Sequence, residues 1–283
     1  MKATLIRTFL LLFILCSQAC LSQQDLRIMT FNIRFDNPED GINSWENRSN
    51  FVVKTLEKES PDILGLQEVL EHQLVYLIEE LKEYSYVGVG RDDGKTGGEY
   101  SPVLYKKERF QVLEWGTFWL SSTPEDTGSV GWDAALPRIC TWVRFNDLRD
   151  NRQFFCLNTH FDHMGQNARM ESARLILNFI YKNTSDLPVI VTGDFNSGPS
   201  QEPYLILTNP GNGLQDVCLL ANNPPACSES SFNGFGNSDE KERIDLILLK
   251  GSWTVLSVQM LKEKKGEMFI SDHWPVFAEI SRQ

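Results

Sequence analysis

The 283-residue chain is short of positive charge: 27 Lys and Arg stand against 38 Asp and Glu, for a formal net charge of −11. The basic residues are scattered, and the densest stretch, Lys262-Glu-Lys-Lys265, is interrupted by acid. A basic platform for nucleic acid is thereby excluded. A surface this acidic repels phosphate polyanions at long range and confines contact to a local cleft helped by a cation. The chain also lacks an apolar run long enough to cross a hydrocarbon core of ~30 Å as a helix, which argues against a permanent membrane span. It has no internal repeat, no low-complexity tract and no linker, so arrays and tethered modules are not expected. Cysteine is sparse at six residues, and those outside the N-terminal segment have no metal-site spacing. What remains is an ordinary globular balance, 41% hydrophobic and 23% charged. Such a chain builds a core without needing a disulfide framework.

Lys2 and Arg7 precede an apolar run at 9–15, and no acidic residue appears before Asp25. This reads as a secretory leader over 1–24. Ser17-Gln18-Ala19-Cys20 resembles a bacterial lipobox, which would make Cys20 a lipidated, membrane-attached N-terminus; cleavage after Ala19 or within 21–24 is the alternative. Either route predicts an exported protein, periplasmic or at the cell surface, and a monomer is expected. Export permits disulfides. Cys218 and Cys227 bracket a turn-rich loop that a short bridge can close. Cys140 and Cys156 fall in consecutive strands with an offset of about three positions, so they are expected buried and free.

Period-2 or continuous runs of β-branched and aromatic residues predict strands at 26–33, 62–67, 101–105, 110–120, 139–145, 154–160, 189–192, 244–249, 254–261 and 275–280. Helical spacing predicts helices over 46–59, 71–81 and 167–181, each between strands. One domain from residue 25 to 283 is the simplest organisation. The irregular segment 121–137, which holds Trp132, is long for a compact domain, and loops of that length usually carry function.

Polar residues recur where apolar strands stop. Asn32, Glu68 and His160 close three of them, Asp194 and Asn196 follow a fourth, Asp245 lies in Arg243-Ile-Asp-Leu-Ile, and Asp272 and His273 lie in Ser271-Asp-His-Trp-Pro. The pattern suggests strands that each deliver a polar group at the carboxyl end. One such residue reads as a turn or cap. Six such endings in one domain point to a shared site.

Leu66-Gln67-Glu68-Val69, Asn158-Thr-His160, Gly193-Asp194-Phe-Asn196, Arg243-Ile-Asp245 and Ser271-Asp272-His273, in this order, resemble the endonuclease/exonuclease/phosphatase superfamily, the deoxyribonuclease-I-like metal-dependent phosphoesterases. The resemblance runs from Leu26 to the C-terminus. Gly97-Gly-Glu-Tyr-Ser-Pro-Val-Leu-Tyr and Gly131-Trp-Asp-Ala-Ala-Leu-Pro-Arg look like a bacterial exported branch of it. The fold it implies is α/β (α+β), a four-layer α/β/β/α sandwich of two packed mixed β-sheets with helices outside and the site at one end.

The same resemblance implies roles. Glu68 is the main ligand of Mg²⁺ or Mn²⁺, with Asn32 and Asp272 completing or supporting an oxygen shell of the kind hard cations favour. His273 matches a general base or phosphoryl stabiliser, and Asp245 the carboxylate that orients it. Asp194 matches the residue that holds or deprotonates the attacking water, while Asn196 and His160 match donors to the scissile phosphate. Arg34 stands where some family nucleases carry an acid, which argues against a second strong metal site. Arg91, Glu99, Trp132 and Arg138 are candidates for the substrate rim, since arginine forks a phosphate and an aromatic stacks on a ring. His163 stands either to cap the next helix or to touch substrate.

The expected activity is Mg²⁺-dependent hydrolysis of a small or medium phosphomonoester or phosphodiester, such as a sugar phosphate, nucleotide or lipid head group. A nuclease is one alternative, which the acidic charge disfavours. A catalytically inactive surface binding protein is another, which the intact residue set disfavours.

Overall fold

The layering is decided by side-chain alternation. In β1 (Asp25–Asn32), Leu26 and Ile28 enter one apolar cluster and Met29 and Phe31 another, so both faces of the strand are covered. The computed structural model describes residues 25–222 and 224–282, and the expected leader with Cys20 lies outside the described residues. After β1 come α1 (Trp45–Glu59), β2 (Ile63–Gln67), α2 (Glu71–Glu80), β3 (Tyr84–Val87), β4 (Val103–Lys106), β5 (Phe110–Trp119), β6 (Ile139–Asp147) and β7 (Arg152–His160). Then follow α3 (Gln166–Asn183), β8 (Val189–Asp194), α4 (Glu202–Thr208), β9 (Gln215–Asp216), α5 (Val217–Leu220), β10 (Asp245–Lys250) and β11 (Trp253–Met260). A small hairpin of β12 (Lys264–Lys265) and β13 (Met268–Phe269) precedes β14 (Val276–Arg282).

Two six-stranded sheets result, ordered β11-β14-β1-β2-β4-β3 and β5-β6-β7-β8-β10-β9. Each has one parallel pair, β1 with β2 and β7 with β8, among antiparallel neighbours. The sheets meet through Ile28, Ile63, Phe145, Phe154, Ile190 and Ile247. On the outside, Val52, Leu56 and Leu77 of α1 and α2 cover Phe31 and Leu64, while Ile176 and Ile180 of α3 cover Leu157 and Val191. This is the four-layer sandwich expected. Every predicted strand and helix forms, with ends within two residues of those read from the sequence. No helix among the described residues is long and apolar enough to cross a membrane.

Going along the inner faces, composition changes from apolar to polar. The inward residues run Ile28, Thr30, Asn32 in β1; Ile63, Gly65, Gln67 in β2; Cys156, Asn158, His160 in β7; and Ile190, Thr192, Asp194 in β8. Buried Asn158 joins the sheets at this transition. Its Nδ2 donates to the carbonyls of Leu66 (2.7 Å) and Pro102 (2.9 Å), and its Oδ1 accepts from Gln67 Nε2 (2.7 Å) and Thr192 Oγ1 (3.0 Å). Gly65 leaves room for this network: a Cβ there would lie 2.1 Å from Thr192 Oγ1 and 2.5 Å from Asn158 Oδ1. Gly65→Ala is expected to destabilise the fold by about 1–3 kcal/mol through overpacking. The check is the urea midpoint, and an unchanged value contradicts the role given to Gly65.

The cysteines follow the sequence reading. Cys218 and Cys227 are bonded with Cα atoms 5.7 Å apart. Cys140 and Cys156 are buried and free, since Cys156 pairs with Val143 rather than Cys140.

Candidate active site

Strand register gathers the site at the polar end of the inter-sheet layer. In the second sheet, parallel pairing sets His160 beside Asp194, and antiparallel pairing sets Asp245 on the other side of Asp194. In the first sheet Asn32 pairs with Gln67, so Glu68 follows directly at the end of β2. β14 runs antiparallel to β1, with Val276 opposite Thr30, which brings the preceding Asp272 and His273 to the same end. The carboxyl-end pattern therefore needs correction for Asp245 and His273. Asp245 begins its strand and His273 precedes one, because β10 and β14 are reversed relative to the parallel pairs.

Cross-sheet hydrogen bonds tie these groups together. Asn32 Nδ2 donates to Glu68 Oε1 at 3.0 Å and to Asp194 Oδ2 at 2.9 Å, while its Oδ1 accepts from the Arg34 N–H at 3.0 Å. In this arrangement the amide orients two carboxylates. Phe35 N donates to Glu68 Oε2 at 3.1 Å, and Asn196 N donates to Asp194 Oδ1 at 2.9 Å. Asn196 Nδ2 lies 3.1 Å from His160 Nε2, which is 3.4 Å from Asp194 Oδ2. His273 Nδ1 bonds Asp245 Oδ2 at 2.8 Å, and its Nε2 faces Asp194 Oδ2 at 3.7 Å. Glu68 and Asn196 both hold left-handed backbone conformations, at φ 61° and 45°. Non-glycine residues adopt these at a cost, and such strain collects at functional sites.

The electrostatics separate the two histidines. Burial, with Arg138 and Arg91 nearby, pushes His160 well below its ordinary value and keeps the ring neutral. Burial opposes charge on His273 too, but Asp245 and Asp194 outweigh it and carry this histidine well above its ordinary value. The carboxylates divide similarly. Burial and the neighbouring Asp245 push Asp194 up to about 7. For Glu68, burial is outweighed by the Asn32 bond, His273, the Phe35 N–H and Arg34, which together hold it below the usual carboxylate range.

Two groups of residues have the donors for a cation. Glu68 and Asp272 present carboxylate oxygens on the cleft wall. Asp194, Asp245 and His273 bring one potential ligand atom each within 4.8 Å of one another, although the 2.8 Å His273–Asp245 bond already engages one atom of each partner.

A cleft of about 440 Å³ opens over these groups. A sequence profile described as the Endonuclease/Exonuclease/phosphatase family matches residues 29–273, which contain every residue of the site. The chain belongs to this family. An endonuclease/exonuclease/phosphatase from Bacteroides vulgatus is 37% identical with a TM-score of 0.85, over 92% of this chain and 100% of that one. A mannosyl-6-phosphatase from Bacteroides thetaiotaomicron is 35% identical with a TM-score of 0.81, over 90% of this chain and 99% of that one. A probable RNA exonuclease of Saccharomyces cerevisiae is 29% identical over 203 residues, 65% of this chain but only 40% of that protein.

Against the endonuclease/exonuclease/phosphatase pattern, most expected site residues converge. Glu68, Glu99, Arg138, His160, Asp194, Asn196, Asp272 and His273 line the cleft, with Asn32 and Asp245 buried behind them. Arg91 and Trp132 are not among its lining residues. Arg91 is taken up by Glu99, to which Nη1 and Nη2 donate at 2.6 and 2.9 Å. Trp132 is 39% exposed; of its loop, Leu136 lines the cleft, while the neighbouring Asp133 accepts from the N–H groups of Asn167 and Ala168 at the start of α3. Of the two alternatives for His163, its position fits the cleft: it lines it and meets Arg138 Nη2 at 3.0 Å, while Asp162 and Asp133 accept from the N–H groups at the start of α3.

Several supporting residues escaped sequence reasoning: Ser231 Oγ accepts from Ile244 N and Asp245 N, and Phe232 packs on His273 at 4.9 Å. Ser271, part of its motif but with no role expected of it, donates its Oγ to the Asn32 carbonyl at 2.7 Å. Buried Arg48 donates to the carbonyls of Ile33, Arg34, Asn43 and Ile270. A signal for Arg48 existed: it shares the buried helical face of Trp45, Val52 and Leu56, where a cation has to find carbonyls.

Proposed function

We propose that the protein is an exported, divalent-metal-dependent phosphatase acting on small phosphomonoesters, with sugar phosphates as the leading class. One observation carries this reading. The cleft sets five carboxylates, Glu68, Glu99, Asp194, Glu240 and Asp272, against two guanidiniums, Arg34 and Arg138. A small phosphate bound with a cation suits that balance, whereas a polyanion needs a track of basic residues that displaces its condensed counterions. Phe35, Phe232 and Leu136 supply an apolar wall for a sugar ring. The similarity to a mannosyl-6-phosphatase supports the same substrate class. The Cys218–Cys227 bridge supports export, because disulfides persist in oxidising compartments.

Glu68 and Asp272 are the residues that would hold the cation. Their hard oxygen donors, and the charge kept on buried Glu68, fit Mg²⁺ or Mn²⁺. When bound, the ion offsets charge on the phosphoryl oxygens and the leaving group. The remaining roles belong to the chain. Asp194, oriented by Asn32 Nδ2 and Asn196 N, accepts the proton of the attacking water. His273, kept cationic by Asp245, donates to the phosphoryl group as charge builds there. Asn196 and His160 flank it as preorganised hydrogen-bonding groups.

The experiment is a comparison across ionic strength. Turnover of a soluble monoester should change only mildly with salt, while duplex DNA should bind weakly at physiological salt and be nicked slowly at most. Rapid plasmid degradation at low enzyme concentration, with steep salt dependence of binding, would establish the nuclease reading, which the similarity to a probable RNA exonuclease favours.

A further inference from the structure

Arg34 is built into the cleft with one end of its guanidinium, Nη1, not hydrogen-bonded among the described residues. It follows β1 in the left-handed region at φ 59°, a costly conformation that the surroundings over-determine. Its N–H donates to Asn32 Oδ1 at 3.0 Å, and its carbonyl accepts from Arg48 Nη2 at 2.8 Å and Gln73 Nε2 at 3.1 Å. The guanidinium lies over the Phe35 ring at 4.5 Å, and Nε and Nη2 donate to Asp40 at 3.0 and 3.2 Å. Those contacts hold one edge back. Nη1 makes no hydrogen bond among the described residues, stands 3.6 Å from Asp272 Oδ2, and belongs to a side chain that lines the cleft.

We propose that Arg34 binds a terminal oxygen of a dianionic phosphate monoester and so selects monoesters over diesters, an inference that rests on the phosphomonoester reading above. A monoester near neutral pH presents three non-bridging oxygens and close to two negative charges. A diester presents two such oxygens and one charge. The cleft lining offers three kinds of group: the Glu68 and Asp272 carboxylates, which would hold a cation, the His160, Asn196 and His273 cradle, and Arg34 next to Asp272. With a diester one of the oxygens presented to them is esterified, a poor acceptor, and an Nη1–H facing it goes unpaired. Because Asp40 and Phe35 fix the guanidinium plane and Asp272 faces Nη1 at 3.6 Å, the Nη1 end is aimed before substrate arrives, which limits the ordering cost of binding.

The test uses the full chain with Arg34→Gln, Arg34→Lys and Asp40→Asn, each checked for folding by circular dichroism. Two quantities are read: the ratio of kcat/KM for a hexose 6-phosphate to that for bis-p-nitrophenyl phosphate, and the Kd of inorganic phosphate by calorimetry with and without Mg²⁺. In Arg34→Gln the ratio should fall about 10- to 100-fold, the range one charge-assisted hydrogen bond supplies, and phosphate affinity should weaken in proportion. Arg34→Lys should regain phosphate affinity but less of the ratio. If Arg34→Gln does not fold, Asp40→Asn carries the test, with a smaller fall in the ratio. Equal losses on both esters, or an unchanged phosphate Kd, overturn the proposal. A wild type that cleaves only diesters overturns the phosphomonoester reading instead, and the phosphate Kd still decides whether Arg34 binds terminal oxygens.

Discussion

Asp194→Asn should lower kcat on phosphomonoesters by about 10²- to 10⁴-fold, the contribution of one positioned general base. Asp194 sits between His160 and Asp245 on one rung of the second sheet, and both its oxygens accept hydrogen bonds that fix its direction. An amide keeps the shape and cannot take the proton. Because burial and Asp245 push this carboxyl up to about 7, wild-type kcat/KM should fall as the pH drops through that value, and the variant should lack that acidic limb. The sign for stability is opposite. A carboxyl raised in the folded state stabilises the fold fully only below its unfolded value, and that contribution is lost as the pH rises through the folded one. At pH 8 the Asn variant should therefore melt no lower than wild type. A variant that keeps wild-type turnover, or loses turnover only by unfolding, contradicts the base assignment.

Excess chelator should abolish turnover, and Mg²⁺ or Mn²⁺ should restore it with no special preference for Zn²⁺. Glu68→Gln should cost at least about a hundredfold in kcat, the scale set by losing one preorganised electrostatic group. Glu68 lies in the strained turn after β2, fixed through Asn32 Nδ2 and Phe35 N, and stays charged despite burial. Glu68 and Asp272 donate oxygens, and none of the four described cysteines, Cys140, Cys156, Cys218 and Cys227, lines the cleft, so this ligand set is hard rather than zinc-like. Full activity in excess chelator would sink the metal assignment.

Strand positions were legible because both faces of the central strands are buried, which leaves long β-branched runs such as Val189-Ile-Val-Thr. The shorter β3, α4 and α5 carry too few periodic residues to announce themselves. Site residues were legible as types, and strand direction was not: nothing local to Asp245 or His273 says that their strands run against β8 and β1. Arg91 and Trp132 show the same limit for loops. An arginine suited to phosphate is equally suited to Glu99, and the segment around Trp132 is placed by Asp133 at the start of α3. Arg34 stood out in sequence as a cation in an unexpected place. Its contacts with Asp40, Phe35 and Arg48, which give it a direction, appear only in three dimensions.

The central claim, hydrolysis of small phosphomonoesters, is tested most directly by assaying one Mg²⁺-loaded preparation side by side on a hexose 6-phosphate and on a single-stranded oligonucleotide, following inorganic phosphate and strand length. Phosphate should be released from the sugar at a kcat/KM orders of magnitude above that for strand shortening. Oligonucleotide degradation that outpaces sugar phosphate hydrolysis would contradict the claim.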